Sequence, residues 1–66
     1  MVDVWALKGA IKARGLTISD AAKAIGISDA TMTRRLRNGV FGSDEMEKLA
    51  DLLRLESPEK IFFARK

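Results

Sequence analysis

Apolar residues recur at three- and four-residue spacing along most of the chain, the period of helices lying on a core and not of strands. Val4, Leu7, Ala10 and Ile11, continued by the stem of Arg14, predict a first helix with Asp3 as its cap and Gly15 as a left-handed stop. Thr17-Ile18-Ser19-Asp20 sets a hydroxyl cap three residues before an acid, a variant of the capping box, ahead of Ala21, Ala22 and Ile25. Gly26 closes that short element, and Ser28 caps a third helix in which Met32 and Leu36, four apart, share one side. Asn38-Gly39 ends it. Gly42 at the next cap puts Glu45 at the third helical position and pairs Phe41 with Met46 as a hydrophobic staple, with Met46, Leu49, Ala50 and Leu53 as the buried stripe. Ser57-Pro58-Glu59 opens a last short helix carrying Ile61, Phe62 and Phe63. The pattern predicts a compact, all-α, five-helix bundle over residues 1–66, one domain, with a helix-turn-helix at about residues 18–38.

The third helix is unusual because it spends only two positions on the core. Taking 100° per residue and centring the core side between Met32 and Leu36, Arg34 points directly away, Ala30, Thr31, Arg37 and Asn38 lie about 120–140° off centre, and Thr33 and Arg35 flank at about 80°. The outer face is small at its start and basic along its length. Such a face suits the DNA major groove, about 12 Å wide, where small side chains allow close approach and arginine spans both acceptors of a guanine. A solvated arginine face would have the same pattern. The preceding helix weighs against that alternative, because Thr17 and Ser19 offer hydroxyls, and its first amides offer donors, to a phosphate. Capping by the same hydroxyls is compatible with either role.

Composition narrows the chemistry. With 66 residues there is room for one small core and no deep cleft, and the chain has no cysteine, histidine or tyrosine. Disulfides, thiolate and imidazole metal sites and the usual bases of nucleophilic catalysis are thereby removed, so no enzyme and no cofactor is expected. No apolar run reaches the roughly 18 residues of a membrane span and no signal peptide is recognisable, which predicts a soluble, cytoplasmic protein. The net charge is +3, divided as +2 over residues 1–27, +2 over 28–42 and −1 over 43–66, so the acidic part can face away from an anionic partner.

Gly15-Leu16-Thr17, then Ala22, Ile25-Gly26-Ile27-Ser28, Leu36 and Asn38-Gly39 together resemble the Cro/C1-type helix-turn-helix domain of phage repressors and small bacterial regulators. The likeness runs from about Leu7 to Phe63, and the closing Leu55 to Phe63 segment is similar to the last helix of small phage-type members. Three features depart from the family pattern. Ile18 stands where glutamine is usual, Arg35 stands where many members have an apolar residue, with Leu36 taking the core role, and Val40-Phe41-Gly42 makes a shorter, more apolar connection.

The resemblance implies base-reading positions at Ser28, Asp29, Ala30, Thr31, Thr33 and Arg34, and phosphate positions at Thr17, Ile18, Ser19, Lys23, Arg37 and Asn38. Asp29 can accept from a cytosine amino group or simply complement the helix dipole. Asn38 has a plainer task, ending the helix with Gly39, to which a phosphate contact would be an addition. Trp5 lies about 140° from the core side of the first helix. It either packs on the closing Phe62-Phe63 helix, the preferred arrangement, or joins a partner subunit; Trp5, Phe62 and Phe63 are accordingly the candidate contacts of a weak homodimer.

The expected function is that of a sequence-specific double-stranded DNA-binding regulator, a phage or prophage Cro-like repressor that works by occupying its operator, with no small-molecule ligand and no membrane partner. The alternative is an antitoxin, or another small protein-binding module of the same fold. Such proteins usually carry a toxin-binding extension, for which Ala64-Arg65-Lys66 leave little chain.

Overall fold

A computed structural model describes residues 2–63; Met1 and Ala64-Arg65-Lys66, the segment weighed above as a toxin-binding extension, lie outside the described residues. Among them are five helices and no strand: α1 (Val4–Ala13), α2 (Ile18–Ala24), α3 (Asp29–Asn38), α4 (Ser43–Leu53) and α5 (Pro58–Phe62). Every connection is four residues long.

Local chemistry accounts for the helix ends. The Asp3 carboxylate accepts from Ala6 N–H at 3.0 Å and starts α1. Thr17 and Asp20 form a complete capping box: Asp20 N–H donates to Thr17 Oγ1 at 3.0 Å, and Thr17 N–H donates to Asp20 Oδ2 at 2.9 Å. Gly42 supplies no side chain, so α4 has half of a box, with the Glu45 carboxylate accepting from Gly42 N–H at 2.8 Å. Gly15, Gly26 and Gly39 have φ of 72°, 79° and 69°, the left-handed region that a helix stop requires.

The Thr17 backbone N–H, then its hydroxyl, and more weakly the charge of Lys23, hold the Asp20 carboxyl below its ordinary 3.8, against a small opposing effect of burial. A carboxyl lowered in the folded state stabilises it at pH above the ordinary value, and that contribution disappears as pH falls through the lowered one. Wild-type protein should therefore melt higher than Asp20→Ala well above pH 3.8, with the gap closing below it. Thermal melts at both ends of that range would check this, and a gap independent of pH would count against it.

Leu7 and Ile11 of α1, Ala21 and Ala22 of α2, Met32 and Leu36 of α3, Leu49 and Leu53 of α4 and Phe62 of α5 meet in the core, joined by Ile25 and Phe41. The α2 helix sits centrally, packed on α1, α3 and α4, while α5 closes against α1. Two backbone bonds tie down the start of the chain: Val2 N–H donates to Gly39 O at 3.0 Å and Asp3 N–H to Ile61 O at 2.6 Å. Val2, outside any helical pattern, is buried with the core.

Two aromatic expectations are corrected here. Trp5 does not pack on α5 but stands 81 % exposed, with Lys8 Nζ 5.1 Å from its ring centroid. Phe62 takes the inner position of α5 itself, and the nearby cation recovers about 0.5–1 kcal/mol for a ring left at the surface. Being 3 % exposed, Phe62 is a core residue and not an available dimer contact; Phe63, 65 % exposed, and Trp5 remain on the surface.

Candidate nucleic-acid interface

The outer face of α3 is built by what holds its inner face. Met32 and Leu36 are buried, and the Ser28 hydroxyl accepts from Thr31 N–H at 3.1 Å to fix the start of the helix. Ser28 Oγ in turn donates to Thr31 Oγ1 at 2.9 Å, leaving Thr31 half-buried. Ser28, Asp29, Ala30, Thr33, Arg34, Arg37 and Asn38 are exposed. The helical wheel and the folded chain thus agree on which side faces outward, except at Thr31, which the wheel turns outward and which is half-buried. Among the described residues, neither Arg34 nor Arg37 has a carboxylate within ion-pair distance, so both guanidinium groups are available to an anion.

The two helices of the unit are joined at their starts by a bond that spacing along the chain does not reveal. Ser19 Oγ lies 3.0 and 3.1 Å from the two Asp29 carboxylate oxygens and donates to them. Two residues assigned to different roles, phosphate contact and base reading, are therefore in contact with each other. Their tie sets the start of α3 against the start of α2. Ile18 and Ser19 are half-buried, whereas Thr17 and Lys23 are exposed.

Arg35 does not join the outer face. Its Nε is 2.8 Å from Glu45 Oε1 but makes no well-aligned hydrogen bond, so the contact is an ion pair without a directed bond. The same Glu45 carboxylate also takes the Gly42 N–H, which links the middle of α3 to the start of α4. The only advance signal was the departure at position 35, where a charge replaces an apolar side chain. Arg14 Nε donates to Leu53 O at 3.0 Å, so the stem counted with the apolar stripe of α1 ends in a link to α4.

An open groove of about 430 Å³ runs beside α3, lined by Lys8, Ile18, Thr33, Leu36 and Arg37, and brings α1 next to the helix-turn-helix. Among the described residues no group of carboxylates is arranged to hold a metal ion, and no helix is long and apolar enough to cross a membrane.

This geometry, a short helix held by two buried side chains with small and basic residues outward and a second short helix at its start, is that of a DNA-binding helix-turn-helix. Comparison with curated proteins and with solved structures gave no match. A family model described as the antitoxin Xre-like helix-turn-helix domain matches residues 2–54, and this is a broader family than the Cro/C1-type phage regulators. The match covers all four helices that form and brace the unit, and the regulatory module it describes is not catalytic. The chain belongs to the antitoxin Xre-like helix-turn-helix family.

Proposed function

We propose that this protein is an antitoxin-type regulator which binds an operator through α3, sits there in place of polymerase, and uses a second surface to hold a protein partner. The observation that carries the DNA half is the free outer face of α3. Arg34, opposite the core side on the helical wheel, is exposed together with Ala30 and Thr33, and Thr17 and Ser19 lie at the start of α2. Ser28, Asp29, Ala30, Thr31, Thr33 and Arg34 take the base-reading roles in this reading. Thr17, Ile18, Ser19, Lys23, Arg37 and Asn38 take those at the backbone.

The partner half has two supports. The family description names an antitoxin. In addition, three large apolar side chains, Trp5, Val40 and Phe63, are exposed at 81, 62 and 65 %. Each is within two residues of one of the backbone bonds that join Val2 to Gly39 and Asp3 to Ile61, so the backbone at all three positions lies near where the start of the chain meets α3 and α5. Large apolar side chains left exposed near one another along the fold support a surface that a protein partner covers.

A Cro-like repressor shares the operator-occupancy step and differs in needing no partner except a second copy. The described residues measure 28 × 22 × 19 Å, less than the roughly 34 Å between successive major-groove faces, so one copy reaches one half-site and a paired operator calls for two. Footprinting on the DNA upstream of the protein's own gene, combined with co-purification of the product of the adjacent gene, tests the whole reading. Protection of a short site together with a stable complex of the two products is the expected result. Protection by a weak dimer with no partner would favour the Cro-like repressor, and a stable complex with no protection at any site would remove the DNA half.

A further inference from the structure

The groove beside α3 is not explained by base reading. Its lining combines half-buried Ile18 and buried Leu36 with two exposed cations from different helices, Lys8 of α1 and Arg37 of α3, and the hydroxyl of Thr33. Among the described residues no carboxylate lines it. Its volume, about 430 Å³, falls within the roughly 300–1,000 Å³ of small-molecule sites, but the groove is open to solvent and suits a ligand that passes along it. The ligand chemistry is set by the lining: anionic at Lys8 and Arg37, and apolar at Ile18 and Leu36. A sugar–phosphate chain has that combination, with charged phosphodiester oxygens separated by the carbon face of deoxyribose.

Placement points the same way. Thr33 is adjacent in sequence to Arg34, the outermost residue of α3, and Arg37 follows one turn later. A strand whose bases met Arg34 would carry its backbone past Thr33 and Arg37. Lys8 waits on the far helix. In the free protein its Nζ rests 5.1 Å from the Trp5 ring centroid, with no carboxylate within ion-pair distance among the described residues, and it is free to leave that ring for a stronger anion.

We propose that this groove seats the backbone of one DNA strand, with Lys8 of α1 and Arg37 of α3 holding neighbouring phosphates and Ile18 lying on the deoxyribose between them. The inference rests on the DNA-binding reading above and extends the interface to α1, which that reading leaves unused. Lys8 is a phosphate contact, carries no sequence information, and adds one released counterion to binding.

The test is a set of salt titrations with duplex DNA carrying the footprinted site, on wild-type protein, Lys8→Gln, Lys8→Arg and, as control, Lys48→Gln on the exposed side of α4. Lys8→Gln should lower the magnitude of the slope of log K against log salt by about 0.9, the value of one phosphate contact. Lys8→Arg should restore the slope, and Lys48→Gln should leave it unchanged. Trp5, the chain's one tryptophan, provides a second readout: its emission should shift as saturating duplex draws Lys8 away. A wild-type slope in Lys8→Gln, or a Trp5 emission unmoved at saturation, overturns the groove assignment and leaves the DNA-binding reading standing. Failure of the wild-type protein to bind any duplex overturns both.

Discussion

Replacing Met32 with alanine is expected to cost about 2–5 kcal/mol, the range for emptying a fully buried long side chain that its neighbours cannot collapse upon. Met32 is 0 % exposed, and with Leu36 it is one of only two buried residues in α3. Apart from Ala30, the rest of that helix is polar. A short helix does not hold itself, because starting it costs more than its few backbone bonds return, so α3 depends on those two side chains for its place. A core this small supplies roughly 3–5 kcal/mol in all, so the variant should sit at the edge of folding. Its melting temperature should fall on the order of 10–30 °C. Met32→Leu conserves the volume and should cost less than about 1.5 kcal/mol. A melting curve of Met32→Ala that overlays the wild type would show that α3 is held by something other than its buried side chains.

What could be read from the sequence divides along the same line between local and long-range physics. The caps at Asp3, Thr17, Ser28 and Gly42 and the stops at Gly15, Gly26 and Gly39 each depend on residues within one turn, and each stands in the structure where its spacing predicts. The end of α4 gave no such signal: Arg54 takes the left-handed conformation, φ 51°, that glycine would occupy without strain. Contacts that depend on how helices are placed were hidden in the same way. Ser19 reaches Asp29 across ten residues and Arg14 reaches Leu53 across thirty-nine, and the Arg35–Glu45 pair exists only because α3 and α4 meet where they do.

The aromatic residues show which argument to prefer when two conflict. The helical wheel turned Trp5 away from the core, whereas the cost of leaving it wet argued for packing on α5; the wheel was right. In α5 the helix is only five residues long, too short for periodicity to tell which of two adjacent phenylalanines turns inward. Burial of Phe62 and exposure of Phe63 settle it. For the candidate interface, the outer face of α3 was legible because two core positions fix a helix's rotation. The groove that adds Lys8 was not, since it needs three helices in place.

Arg34 and Arg37 are both exposed and free of carboxylates among the described residues, yet they should fail differently when removed. A bidentate arginine contact to guanine O6 and N7 is worth about 1–3 kcal/mol of discrimination, or roughly 5- to 150-fold between right and wrong base. A phosphate contact strengthens binding to every sequence alike and adds about 0.9 to the salt slope. Neither side chain is buried, so both alanine variants should melt close to the wild type, within the roughly 0.5 kcal/mol usual for surface substitutions. Arg34→Ala should lower affinity for the operator far more than for random duplex and relax preference at one base pair per half-site. Arg37→Ala should weaken both equally and flatten the salt dependence.

Base reading by the outer face of α3 is decided by the ratio of operator to random-duplex affinity in wild-type protein and in Arg34→Ala, measured side by side at two or more salt concentrations. The ratio should fall roughly 5- to 150-fold in the variant, and the fall should persist at each salt concentration. An unchanged ratio would contradict it, leaving Arg34 as a phosphate clamp or a solvated charge.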